Sequence, residues 1–309
     1  MRVLIFLFFS LLVVKGFTQE IKKLEGYANG VHHVSFSSDG NWLLTGSGIS
    51  TNRAEIRDAR TGDVVISLPG IESSVAKGGW FPSGDFLYTS SGTGSKVQIW
   101  AVNGELIKSI EEKDCKYTSE IAFNPKKEGF VMSCDSKLYY FNNDFQKEKE
   151  LEVPEILETF YFNKEGVLFV GSAYEALHIY NDKEANWQSI QLPLGPRNIE
   201  ETPSGEIMLT DYYVMSSDKP SIRFFEDGEA TKSFTFEEKV LSAKWVPNKA
   251  MILATFSGGS VRLIDAEGKV IKELGRFGSF PLSLAVNPDG QNAAIGYLGA
   301  LVLIDLSKF

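Results

Sequence analysis

Short runs of alternating apolar and polar residues recur along the chain, and a period of two is the mark of half-buried β-strands. One column of positions runs through them: Phe36, Trp80, Phe123, Phe162, Glu201, Trp245 and Val286. Two residues earlier, on the same strand face, stand Val34, Gly78, Ile121, Phe160, Ile199, Ala243 and Leu284. A turn follows each of these strands, as in Ser38-Asp39-Gly40, Pro82-Ser83-Gly84, Pro203-Ser204-Gly205 and Pro288-Asp289-Gly290. Pro presets φ early in such a turn, and Gly accepts positive φ late in it. The second strand is more apolar and ends on a small residue, Thr45, Thr89, Ser133, Gly171, Thr210, Thr255 or Gly296, which leaves room for a neighbouring sheet. A third alternating strand runs into a dipeptide: Arg57-Asp58, Trp100-Ala101, Phe141-Asn142, Tyr180-Asn181, Phe225-Glu226, Ile264-Asp265 or Ile304-Asp305. Turns such as Thr61-Gly62, Asn103-Gly104 and Glu267-Gly268 then lead to a fourth, more polar strand.

The dipeptide returns seven times at intervals of 39 to 45 residues, so one supersecondary unit is copied around a ring. This predicts an all-β fold, a seven-bladed β-propeller of four-stranded antiparallel blades. The last unit, ending at Leu303-Ile304-Asp305-Leu306-Ser307-Lys308-Phe309, lacks its fourth strand. Glu20-Ile21-Lys22-Lys23-Leu24-Glu25-Gly26 reads like the fourth strand of the sixth unit, Val270-Ile271-Lys272-Glu273-Leu274-Gly275. The N-terminal strand is therefore predicted to pair with the last blade and close the ring.

The turn Phe36-Ser37-Ser38-Asp39-Gly40, the stretch Ile56-Arg57-Asp58-Ala59-Arg60-Thr61-Gly62 and the strand Val97-Gln98-Ile99-Trp100 resemble the WD-repeat family of seven-bladed propellers. The resemblance extends over nearly all of residues 20–309, and it implies protein or peptide partners held on the rim of a rigid ring. Only Trp100 keeps the tryptophan of the dipeptide, and only Asp58, Asp265 and Asp305 keep its acid. The Gly-His pair that opens a standard repeat is absent, so the family's buried hydrogen-bond relay does not carry over.

Residues 1–19 stand apart from the repeats. Arg2 gives a positive start, residues 3–14 form an apolar run, and Gly16 and Thr18 are small residues suited to cleavage. This reads as a secretory signal peptide, with the run too short for a spanning helix of about twenty residues. Export to a periplasm or beyond the cell is expected, leaving residues 20–309 as a single propeller domain with no transmembrane segment. Loss of Arg2 and Lys15 takes the formal charge from −9 to −11. No basic stripe remains, which argues against a nucleic-acid partner.

Catalytic signs are sparse. A metal site on the three histidines, His32, His33 and His178, would need all three brought together or carboxylates recruited, so structural roles are expected and neither metal nor cofactor is assigned. No nucleophile elbow, phosphate loop, zinc helix or calcium loop occurs. Glu201 breaks an otherwise large or apolar column with Glu200 beside it; a shifted register that leaves Glu201 solvated is preferred to a role as buried acid or base. Cys115 and Cys134 fall on the same rim of the third blade, where a straight register would set Cys134 opposite a residue near Ser119. A disulfide requires the loop to curl back, and a pair of buried thiols is the other reading.

The rim carrying the loops between second and third strands is the expected binding surface. Its candidate residues are Arg53, Tyr174, Tyr212, Tyr213 and Tyr297. Aromatic side chains on loops supply contact area with little entropy loss. The reading is a monomeric, exported, non-catalytic scaffold for a protein or peptide. Its rivals are a propeller enzyme (hydrolase, lyase or oxidoreductase), with Glu200, Glu201, Asp211, Arg53 or the histidines around the channel, and a carbohydrate or cell-surface binding module.

Overall fold

The computed structural model of the protein describes residues 21–48, 51–92, 96–117, 120–211 and 219–309. The expected leader, residues 1–19, and the rim tyrosines Tyr212 and Tyr213 lie outside the described residues. The described chain forms seven four-stranded antiparallel sheets arranged as a ring of blades, followed by a single 3-10 turn at Leu306–Lys308. Blades 1 to 6 are continuous in sequence, over residues 31–67, 75–111, 121–152, 157–191, 196–234 and 240–276. Blade 7 takes its three inner strands from residues 281–305 and its outermost strand, Ile21–Tyr27, from the start of the described chain. The predicted closure is thus present, with Leu24 opposite Leu301 and Ile21 opposite Ile304. No helix among the described residues is long and apolar enough to cross a membrane.

Apolar residues alternate inward between blades and form a chain of interblade cores. At the closing junction Val31, Val34 and Leu43 of blade 1 pack with Ala294, Leu301 and Leu303 of blade 7, and Leu24 and Tyr27 cover them. Small residues near the ends of the second strands are where the next blade approaches; in blade 1 the place falls to Gly46, one residue after the expected Thr45, because it is Gly46 that shares the register of Gly171 and Gly296. A Cβ added to Gly46 would meet Val75 Cγ1 at 2.6 Å, and one on Gly171 would meet Pro196 at 3.0 Å. Polar ties reinforce the same contacts: Trp80 Nε1 donates to the Ser35 carbonyl at 3.1 Å, and Asn287 Nδ2 to the Gly40 carbonyl at 2.9 Å.

One irregularity positions the functional residues. In six innermost strands the register slips by one residue near the start, between Val31 and His33, Val75 and Lys77, Leu157 and Thr159, Pro196 and Asn198, Val240 and Ser242, and Pro281 and Ser283. Each slip is a β-bulge, which leaves one residue unpaired and re-aims its side chain. His32, Ala76, Glu158, Arg197, Leu241 and Leu282 are the residues that the strand register skips.

Candidate functional site: the channel and its rim

The innermost strands line an axial cavity of about 760 Å³. Its charged lining is balanced, with Lys77, Lys164, Arg197 and Lys244 against Glu120, Glu158, Glu200 and Glu201. Lys77 Nζ lies 3.4 Å from Glu120 Oε2, which also accepts from Thr159 Oγ1 at 3.1 Å. Lys244 Nζ lies 3.0 Å from Glu200 Oε2 and donates to Asn198 Oδ1 at 2.9 Å, and Glu200 Oε1 accepts the Trp245 backbone N–H. Arg197 Nη2 donates at 3.2 Å to the carbonyl of Leu282, reaching from blade 5 to blade 7. Burial pushes the Glu158 carboxyl above its ordinary range, partly offset by the charges of Lys77 and Arg197.

Glu201 corrects the expectation of a shifted, solvated position. It pairs with Ile207 as Phe36 pairs with Leu43 and Trp80 with Leu87, so the fifth blade keeps the common register. Its carboxylate is buried and accepts the Lys164 backbone N–H at 2.7 Å, with Lys164 Nζ at 3.4 Å. Glu201 therefore fastens blade 5 to the turn of blade 4. Beside it, burial followed by the Glu201 charge pushes the Tyr161 hydroxyl up to about 12.

The histidines occupy three separate environments. His32 is unpaired at a bulge and His33 faces the channel, where its Nε2 is 3.2 Å from Ser35 Oγ. Burial, aided by the positive charges of Lys77 and Lys244, pushes His33 down to about 3. His178 is buried in blade 4, with Nδ1 2.8 Å from Ser189 Oγ and Nε2 3.7 Å from Glu155 Oε2. Among the described residues no group of three or more His, Cys, Asp or Glu side chains is placed to hold a metal ion.

On the rim, the expected residues separate. Tyr174 is 61% exposed at the hairpin of blade 4, and its N–H is held by Ser172 Oγ at 2.8 Å. Arg53 has a half-exposed side chain paired with the buried carboxylate of Glu55, which also binds Arg57. Tyr297 is a correction: it is fully buried, and its hydroxyl donates to the Gly259 carbonyl at 3.0 Å. It braces blade 7 against blade 6, and its neighbour Leu298, 53% exposed, takes the outward place.

Cys115 and Cys134 form a disulfide with Cα atoms 5.2 Å apart. The loop curls through a turn in which the Cys115 N–H donates to the Glu112 carbonyl at 3.0 Å. Directly after it, the N–H groups of Lys116 and Tyr117 donate to Asp135 Oδ1 at 3.0 and 3.1 Å. Tyr117 is consequently presented on a pinned loop at 54% exposure, a rim anchor that the sequence reading missed. Its only advance signal was its place two residues beyond Cys115.

The missing Gly-His relay has local replacements. In blades 2, 4 and 6 a glutamate in the loop entering the blade reaches a basic residue on the third strand: Glu72 to Lys96 at 2.7 Å, Glu155 to His178, and Glu238 to Arg262 at 2.6 Å. In blade 5, Asp211 accepts from Ser221 Oγ at 2.6 Å and Arg223 Nε at 3.1 Å. Blade 2 also keeps a tryptophan bond, from Trp100 Nε1 to Thr89 Oγ1 at 3.0 Å.

A family model described as WD domain, G-beta repeat matches residues 18–49. That stretch covers the outermost strand of blade 7 and the two inner strands of blade 1, Val31–Phe36 and Trp42–Ser47, so it straddles the closure of the ring. No curated protein matches the chain.

Proposed function

We propose that this chain, a WD-repeat-like seven-bladed propeller, serves as an exported, non-catalytic platform that holds a protein or peptide on its loop-bearing rim. The observation that carries the reading is the pair Tyr117 and Tyr174, each more than half exposed on neighbouring blades with its backbone fixed by hydrogen bonds. Large rings carried on a backbone already held in place need little further ordering of the chain on binding, which suits interface anchors. The reading assigns the arc over blades 3 and 4 to the partner. Export rests on the leader features of residues 1–19.

The test is partner capture from native envelope or medium with quantified affinity. Replacing Tyr117 and Tyr174 together by Ala should weaken binding at least about tenfold with an unchanged unfolding midpoint. Val65→Ser, on the outer perimeter, should change nothing. Equal capture by the double variant rejects the rim, and an intact Met1 on protein recovered outside the cytoplasm rejects leader cleavage.

A further inference from the structure

The axial cavity has its own chemistry, independent of the rim. Three of its four acids are engaged: Glu120 with Lys77, Glu200 with Lys244, and Glu201 with Lys164. Glu158 is different, because its carboxylate makes no hydrogen bond and no ion pair among the described residues. A carboxylate desolvated without a partner is costly, and a cation placed against it removes that cost. Glu158 and Arg197 hold the same bulged position in adjacent blades, and both line the channel.

The balance of charge selects the ligand. A simple cation entering the channel would gain Glu158 but face four basic side chains, and a simple anion would face four acidic ones. A molecule carrying both charges adds no net charge and finds a complement at each end. The cavity of about 760 Å³ is also the size of a small-molecule site, for which about 300–1,000 Å³ is usual.

We propose that the channel is a binding site for a small zwitterion bearing a protonated amine and a carboxylate, with the ammonium on Glu158 and the carboxylate on the Arg197 guanidinium. Free amino acids and short peptides share this chemistry. Arg197 lines the same channel, where its Nη2 donates to the Leu282 carbonyl. Guanidinium and carboxylate then pair through charge-assisted hydrogen bonds.

Titration calorimetry on the purified protein with L-leucine and glycylglycine tests this, with n-butylamine and butyrate as single-charge controls. At least one zwitterion should bind saturably, and which one binds separates free amino acid from peptide as the source. Each control should bind at least about tenfold more weakly. Glu158→Gln and Arg197→Gln should each weaken the zwitterion about tenfold or more, while Tyr174→Ala, which tests the rim, should leave it unchanged. Absence of saturable binding by both zwitterions up to about 10 mM overturns the site, as does a control that binds equally well. Should either channel variant fail to fold, the ligand preference of the unaltered protein decides alone.

Discussion

Gly296 lies so close to Val31 that a Cβ added to it would stand 2.1 Å from the Val31 carbonyl oxygen and 2.4 Å from Ser283 Oγ. This is the seam between the last blade and the first, where the two ends of the ring meet. The backbone of Val31 cannot retreat, because it sits in a buried cluster and its carbonyl accepts Ser283 Oγ at 3.1 Å. Gly296→Ala is therefore expected to destabilise the protein by about 1–3 kcal/mol through overpacking. Gly171→Ala, whose Cβ would meet Pro196 at 3.0 Å, should have a smaller effect. Urea unfolding of both variants checks the order, and equal stabilities would show that the seam yields.

The same seam depends on the strand Ile21–Tyr27. Without it the strand Gly299–Asp305, with the uncharged run Leu301-Val302-Leu303-Ile304, becomes an open sheet edge. Such an edge pairs with other chains. Protein beginning after Asn29 is expected to aggregate or to lose its cooperative transition. Leu24→Asp, a milder change opposite Leu301, should lower stability by about 1–3 kcal/mol. Light scattering and thermal unfolding measure the two, and an unchanged melt after the truncation counts against closure by this strand.

The ring itself was legible in the sequence because strand alternation and Gly/Pro turn chemistry are local. Phe36, Trp80 and Phe162 pair in the register that their column predicts, and Glu201, expected to be shifted out of it, pairs in the same register. The channel was hidden for the opposite reason. Glu158 and Arg197 stand at bulges, one residue out of the alternation, and no residue type marks a bulge there. Tyr297 and Leu298 show how narrow the margin is at a strand end: a one-residue difference decides which side chain is buried, and the larger one is. The acid–base ties were hidden too. Glu238 and Arg262 are 24 residues apart, and only the ring brings the entering loop onto the third strand.

The disulfide ties the loop that carries Tyr117 to the end of the strand Phe130–Cys134 in blade 3. Cys115 and Cys134 are separated by 19 residues, a loop whose closure stabilises by about 3 kcal/mol in the chain-entropy account. Reduction should lower stability by about 2–3 kcal/mol and release the loop that carries Tyr117. Unreduced protein should then show no free thiol, and two titratable thiols would reject the bridge.

In blade 6, Glu238 gathers Arg262 Nη2 at 2.6 Å, Ser260 Oγ at 3.1 Å and Arg276 Nη1 at 3.3 Å, with most of its side chain buried. These partners hold its carboxyl below the usual carboxylate range despite burial. Glu238→Gln keeps the shape but removes the charge, leaving Arg262 and Arg276 with Glu273 as their remaining carboxylate partner, and should destabilise by about 1–3 kcal/mol. A coupling of at least about 0.5 kcal/mol with Arg262→Met in a double-mutant cycle would show that the tie acts as a unit. Strict additivity would refute it.

His33 makes the channel sensitive to acid. Its ring is held neutral to about 3 in the folded protein, against 6.5 when unfolded, by burial and by the charges of Lys77 and Lys244. Below pH 6.5 the unfolded chain therefore binds the proton that the folded chain refuses, and stability falls as pH falls. The contribution is complete above pH 6.5 and drains away progressively towards pH 3. Partial solvent access to the ring tempers the effect, so about 1–3 kcal/mol is expected to be lost between pH 6.5 and 4.5. The capped carboxylates Asp39 and Asp58, held below their ordinary value of 3.8, add a separate loss only in stronger acid. Glu158, raised by burial, acts in the opposite direction, because its protonation on acidification favours the folded state. His33→Gln keeps a polar group near Ser35 without the titration, so the difference between its stability curve and that of the unaltered protein isolates the histidine. That difference should open below pH 6.5 with the variant losing less, and parallel curves from pH 7 to 4.5 would exclude His33 as the source.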